Sequence, residues 1–234
     1  MANYLTTSKA GFGKLFSAAA IVGALFAPSA AQALVLDFET PVDSPIVLSG
    51  DVLTFGQFRL EAVGLPGFAG VVGNNELCFS VECPVNNNTN YYSALADNYI
   101  VIGKTDNSLF KLRSLDASFI GLNAGPYAST SALLYVAGYN GATFVEDTYL
   151  ALGGPVNNQF NFATFNTGWF GGSGITDLLI AAFACNAAGD CNRTTNQGNF
   201  AIDNIATSVP EPGSFALLGL GLLGLGAFSR RRAA

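Results

Sequence analysis

The chain has 234 residues, 50% of them hydrophobic and only 11% charged, which is enough apolar mass to bury one core and too much for a disordered polymer. It contains no histidine, which rules out a Ser-His-Asp triad and removes the commonest general base at neutral pH. Residues 34–209 hold fifteen acidic side chains against five basic ones, a net charge of −10. Phosphate backbones are repelled, so no nucleic-acid partner is expected, whereas a neutral glycan or a divalent cation remains compatible.

The first 33 residues read as a signal peptide. Lys9 and Lys14 precede or border an apolar run from Leu15 to Phe26, followed by Pro28 and the small-residue sequence Ala31-Gln32-Ala33. About 12 apolar residues are too few to span a bilayer, which takes about 20. Ala31 and Ala33 are the small side chains a signal peptidase accepts, so the mature chain is expected to begin at Leu34.

Glycine (27) and phenylalanine (19) are abundant, a bias towards strands and turns. Strand-like segments recur at 34–39, 52–61, 98–102, 108–119, 131–139, 142–150, 159–165, 175–184 and 199–206. Between 131–139 and 142–150, Asn140-Gly141 is predicted to centre a type I′ hairpin turn, and Gly153-Gly154-Pro155 and Gly171-Gly172-Ser173-Gly174 read as turns. No segment carries a long amphipathic helical period. The expected fold is all-β, an antiparallel two-sheet jelly-roll-like β-sandwich over 34–207, between an N-terminal signal helix (1–33) and a C-terminal transmembrane helix within 208–234.

All four cysteines lie in the mature region, which export places in an oxidising space. Four cysteines allow three pairings, and the close spacings favour Cys78–Cys83 and Cys185–Cys191. Zinc is disfavoured because no histidine is present and neither pair has the tight C-x₂-C spacing. Asn86-Asn87-Asn88-Thr89-Asn90 reads as a polar exposed loop.

Alternation puts Leu36 and Phe38 on one face of the first strand and Asp37 and Glu39 on the other, and sets Asp203 apart from Ile202 and Asn204. If the first and last strands pair, Asp37, Glu39 and Asp203 could converge as hard oxygen ligands of a structural calcium ion, the one cofactor considered; otherwise they are solvated carboxylates. Glycan hydrolysis needs only two carboxylates. Glu61, Glu76, Glu82, Asp97, Asp116, Glu146 and Asp147 are available, and no pair stands out. Tyr91, Tyr92, Tyr127, Tyr139, Tyr149 and Trp169 are candidate sugar-binding faces near turns or strand ends, against the alternative that they are core.

The tail begins with Val209-Pro210-Glu211-Pro212-Gly213, continues through the uncharged, apolar-rich run Ser214–Ser229 and reaches Arg230-Arg231-Arg232. The prolines stop a strand or helix from running through, the apolar run can enter lipid and the arginines stay on the cytoplasmic side. Within it Gly219, Gly221 and Gly224 satisfy G-x-G-x-x-G, but no strand precedes them, so this is no dinucleotide fingerprint. The Pro-Glu-Pro triplet, short apolar helix and basic cluster resemble the PEP-CTERM sorting domain, a tail also classed as an ice-binding protein C-terminal domain. The resemblance implies export, transient inner-membrane anchoring, processing by signal peptidase and exosortase, and delivery to the cell surface or beyond. The strings Leu36–Glu39, Gly138–Gly141 and Phe200–Ile205 look like a common cargo body of such tails, similar in outline to carbohydrate-binding jelly rolls. The function expected is therefore a non-catalytic surface or matrix protein, with exopolysaccharide as a candidate ligand; the alternative is a carboxylate-dependent glycan hydrolase. The threonines show no repeat suited to ice binding.

Overall fold

Residues Phe58–Val63 show the period of two that builds this domain: Phe58, Leu60 and Ala62 are buried, while Arg59, Glu61 and Val63 between them are half-exposed. The computed structural model describes residues 33–77, 81–122, 126–192 and 198–209. The expected signal helix, Ala31, the sorting tail and its membrane helix lie outside them. Among the described residues no helix is long and apolar enough to cross a membrane.

The strands are β1 (Ala33–Leu36), β2 (Ile46–Leu48), β3 (Val52–Phe55), β4 (Phe58–Val63), β5 (Phe68–Gly73), β6 (Val81–Glu82), β7 (Tyr91–Ala94), β8 (Tyr99–Lys104), β9 (Phe110–Phe119), β10 (Gly121–Leu122), β11 (Thr130–Asn140), β12 (Thr143–Gly153), β13 (Ala163–Ile175), β14 (Asp177–Ala184) and β15 (Phe200–Ser208). One sheet runs β13-β9-β15-β7-β5-β2 with β1 also on β15; the other runs β12-β11-β14-β8-β4-β3; β10 and β6 form a small third ribbon. Every pairing is antiparallel. This is the expected two-sheet β-sandwich, and its first and last strands do pair, Leu36 lying opposite Ile205.

The core fills the space between the sheets. Phe110, Leu112 and Leu115 from one sheet and Leu60, Ile100, Ile102, Leu134 and Ile180 from the other are fully buried, each side chain contributing about 1.5–3 kcal/mol on leaving water. Phe38 joins them by an unusual backbone. Its φ of 56° is left-handed, a costly conformation for a bulky residue, and it places the ring 5.1 Å from Phe55 and 6.3 Å from Tyr92.

Several local expectations change. Segment 52–61 is two strands, β3 and β4, turning at Gly56-Gln57. The Asn140–Thr143 turn has Gly141 and Ala142 at its centre, because Asn140 pairs Thr143. Only Gly141 of the two has positive φ, at 58°, which fits a type II′ turn rather than I′. The glycines at 171–174 do not end a strand: β13 runs through them, with irregular register between Asn166 and Phe170 and between Phe170 and Ile175. Strands β2, β5 and β7 were not legible as strands, and β7 carries Tyr91 and Tyr92 into the interior.

Candidate functional site

The outer face of the six-stranded sheet is built in cross-strand rows. Its first row is Phe144, Tyr139, Asp177, Gly103, Arg59 and Thr54, each the register partner of the next. Arg59 Nη2 donates to Asp177 Oδ1 across bare Gly103, where an added Cβ would stand 2.9 Å from Arg59 Nη2 and 2.8 Å from the Thr176 carbonyl. The second row is Asp147, Ala137, Leu179, Val101 and Glu61. In the third, Tyr149 faces Tyr135, which faces Ala181.

Aromatic rings collect at the β12–β11–β14 end of this face. Tyr135 and Tyr149 are 5.0 Å apart between centroids, Tyr135 and Phe183 6.4 Å, and Tyr139 and Phe144 5.8 Å. Phe144 is 51% and Tyr149 39% exposed. Burial, followed by the charge and hydrogen bond of Asp147, pushes the Tyr135 hydroxyl up to about 12, so it is a neutral donor at any physiological pH. In the second row Ala137, Leu179 and Val101 separate Asp147 from Glu61, whereas in the first Asp177 directly partners Tyr139 and reaches Arg59 across Gly103. Such a face can stack on apolar faces of a sugar and hydrogen-bond its hydroxyls.

An open cleft of about 490 Å³ adjoins it, lined by Glu146, Asp147, Thr148, Leu150, Asn166, Thr167 and Phe170. Glu146 Oε1 accepts the Gly171 and Gly172 amides, the latter at 3.0 Å, and so ties β12 to β13 where the two sheets meet.

The carboxylates proposed for calcium do other work. Asp37 Oδ1 accepts Glu39 N at 3.2 Å. Glu39 Oε1 accepts Asn90 N at 2.7 Å. Asp203 is fully buried, against the solvated or metal-facing position expected, and its Oδ2 accepts Asn87 Nδ2 at 2.8 Å and Thr89 Oγ1 at 3.2 Å. Among the described residues no three Asp, Glu, Cys or His side chains gather to hold a metal ion.

The asparagine-rich loop is exposed at Asn86, Asn88 and Thr89, as expected, and also serves as a cover for Asp203. Asn86 completes it, donating to the Phe162 carbonyl at 3.1 Å and accepting Phe162 N at 2.6 Å. Beneath lies a small second core of Tyr91, Ile120 and Ala201 with Val81, Leu95 and Phe162, which explains why Ala201 and Asp203 are buried on what alternation marks as an outer face. Asn204 adopts φ 48° and donates to Asp116 Oδ2 at 2.9 Å and Asp203 Oδ2 at 3.3 Å.

Cys185–Cys191 is a disulfide. Cys83 is also disulfide-bonded; Cys78, its expected partner, lies outside the described residues, as do Pro210, Glu211, Pro212 and Arg230 to Arg232. Of the sugar-binding candidates, Tyr91 and Tyr92 are buried, Tyr127 packs on Phe119 and Phe160, and the Trp169 side chain lies outside the described residues. Tyr139 and Tyr149 are on the outer face. Tyr135 was missed, because nothing local distinguishes it from core, although its hairpin partner Tyr149 marks it once the register is known.

The tail departs from the end of β15. Residues 208–232 match the family model for the PEP-CTERM protein-sorting motif. The tail is a PEP-CTERM sorting motif. A PEP-CTERM tail marks an exported, surface-sorted protein and implies processing by exosortase. No curated protein matches the chain. Among solved structures, a DUF4465 family protein from Bacteroides caccae is similar at 12% identity, TM-score 0.51, over 77% of this chain and 100% of its own. A DUF4465 family protein from Bacteroides ovatus gives 12% identity and TM-score 0.36 over 77% and 100%. The CBM22 tandem domain from a Paenibacillus barcinonensis protein gives 15% identity and TM-score 0.34 over 79% and 51%. The first of these likenesses is one of fold.

Proposed function

We propose that this exported protein is a non-catalytic surface or matrix component whose body binds polysaccharide through the outer face of the six-stranded sheet. The observation that carries the reading is the half-exposed Tyr135–Tyr149 pair on the same face as the Arg59–Asp177 ion pair. Stacking faces and fixed polar groups on one rigid sheet are what a glycan platform requires. The acidic side chains Asp147, Glu61 and Asp177 favour a neutral ligand over an anionic one. A hydrolase draws less support. Asp203, the carboxyl group raised to about 6 chiefly by burial, sits under the 86–90 loop and already accepts several donors, so a substrate oxygen has no route to it.

The test is affinity electrophoresis of the purified body through gels containing the native host's exopolysaccharide, with Tyr135→Ala beside it. Retardation that the variant loses supports the platform. Equal mobility with and without polysaccharide rejects it, and release of new reducing ends would establish the enzyme instead.

A further inference from the structure

Strand β12 is the last strand of its sheet and β13 the last strand of the other, and the cleft of about 490 Å³ opens between them. On neighbouring β11, Leu134 and Val136 are fully buried; their register partners on β12 are Leu150 and Thr148, and Gly138, next on that face, partners Glu146. Alternation therefore puts a threonine and a carboxylate at inward positions of an edge strand, where the interior stops short beside nearly buried Phe170. The Gly171 and Gly172 amides both bond to Glu146 Oε1, which fixes the side chain and leaves Oε2 for a further donor. Asp147 also lines the cleft and accepts the Tyr135 hydroxyl from the aromatic face. Among the described residues no lysine or arginine lines this space.

An extended peptide is a poor occupant. The register slip at Val145 interrupts β12, and an inward-pointing charge such as Glu146 opposes addition of a further strand. A sugar ring fits better. Its apolar face packs on Phe170 and Leu150, and its hydroxyls meet Thr148, Asn166 and the backbone groups that an edge strand leaves unpaired. The volume lies within the range of about 300–1,000 Å³ usual for small-ligand sites. We propose that the cleft binds an amino sugar of the polysaccharide through its free ammonium group, with Glu146 and Asp147 as the specificity-determining residues. Two carboxyl groups with no basic neighbour favour a positive group over a neutral or negative one. Tyr149 and Leu150 lie on opposite sides of β12, so a chain stacked on the Tyr135–Tyr149 rings has only to round one strand, about 5 Å wide, to set its next residue in the cleft. The proposal rests on the glycan-binding reading and narrows it to hexosamine polymers that carry free amines.

The experiment is calorimetric titration of the mature protein, purified from its exporting host, with a glucosamine tetramer and with the N-acetylglucosamine tetramer of the same linkage. The glucosamine tetramer is expected to bind about tenfold more tightly at low salt. Glu146→Gln keeps an oxygen for the two glycine amides and is expected to bring the two affinities within about twofold of each other. Asp147→Asn, which still accepts the Tyr135 hydroxyl, should lower the preference as well. Asp43→Asn removes one charge just before β2, at the opposite edge of the seven-stranded sheet from β13, and should keep the preference. Equal affinity of the wild type for the two tetramers overturns the amino sugar and leaves the platform standing. A preference that survives both Glu146→Gln and Asp147→Asn, or that Asp43→Asn lowers as much, comes from the acidic body as a whole and overturns the cleft. If neither tetramer binds while exopolysaccharide gels still retard the protein, this inference alone falls; if the gels do not retard it either, the glycan-binding reading falls with it.

Discussion

Tyr135 and Tyr149 stand opposite each other, rings 5.0 Å apart and tilted by 36°, because the ladder slips by one residue at Val145 and leaves it unpaired. From the turn, Asn140 pairs Thr143 and Tyr139 pairs Phe144; then the register slips, and Gly138 pairs Glu146. Had the register of the turn continued through Val145 without that slip, Tyr149 would oppose inward-facing Leu134. The bulge reverses parity along β12, so even-numbered Phe144 and odd-numbered Tyr149 share one face.

Removing either ring should weaken polysaccharide retention roughly tenfold, the equivalent of about 1.4 kcal/mol, while costing the fold about 1 kcal/mol. Tyr135→Ala and Tyr149→Ala measured by affinity electrophoresis and thermal denaturation separate the two effects.

Asp203 gives the body a pH dependence. Its pKa rises from 3.8 to about 6, chiefly through burial. A group raised on folding contributes stability that is complete below its unfolded pKa and is lost as pH rises through the folded one. Between pH 7 and pH 4 the wild type should therefore gain up to about 3 kcal/mol relative to Asp203→Asn. Urea denaturation of both proteins across that range checks the sign; parallel stability curves would show that Asp203 does not titrate as proposed.

Gly103→Ala tests the first row of the outer face. Its methyl group would meet Arg59 Nη2 and the Thr176 carbonyl inside contact distance. A loss of about 1–3 kcal/mol is expected from overpacking, together with separation of Arg59 from Asp177, visible in a crystal structure of the variant. An unchanged melting temperature would mean that the guanidinium moves aside without cost.

The Cys185–Cys191 bond closes a short loop, and paired Cys185→Ser and Cys191→Ser changes should cost about 2 kcal/mol through the larger entropy of the unfolded chain. Denaturation with and without reductant provides the control, because reductant should shift the wild type towards the double variant and leave that variant less affected.

Much of the fold was written in local order. Phe58, Leu60 and Ala62 alternate with polar or half-exposed neighbours, Asn140-Gly141 marks a hairpin, and the spacing of Cys185 and Cys191 sets their bond. The tail needed no tertiary structure at all, since Pro210-Glu211-Pro212, the apolar run and Arg230–Arg232 are contiguous. These features are legible because each depends on residues near one another in the chain.

The rest depended on neighbours far apart in sequence. Asp203 looked like an outward carboxylate until Asn87 and Thr89, 116 and 114 residues away, covered it. Glu39 proved to hold the same loop through Asn90, so two stretches singled out at opposite ends of the body turn out to fix one segment between them. Tyr91 and Tyr92 could be either sugar-binding faces or core by sequence and are core, while Tyr135, which no local signal singled out, belongs to the candidate face. Alternation gives the two sides of a strand but not what lies over each side. That is decided when the loop after β6 folds across the seven-stranded sheet and when one bulge in β12 selects which rings meet.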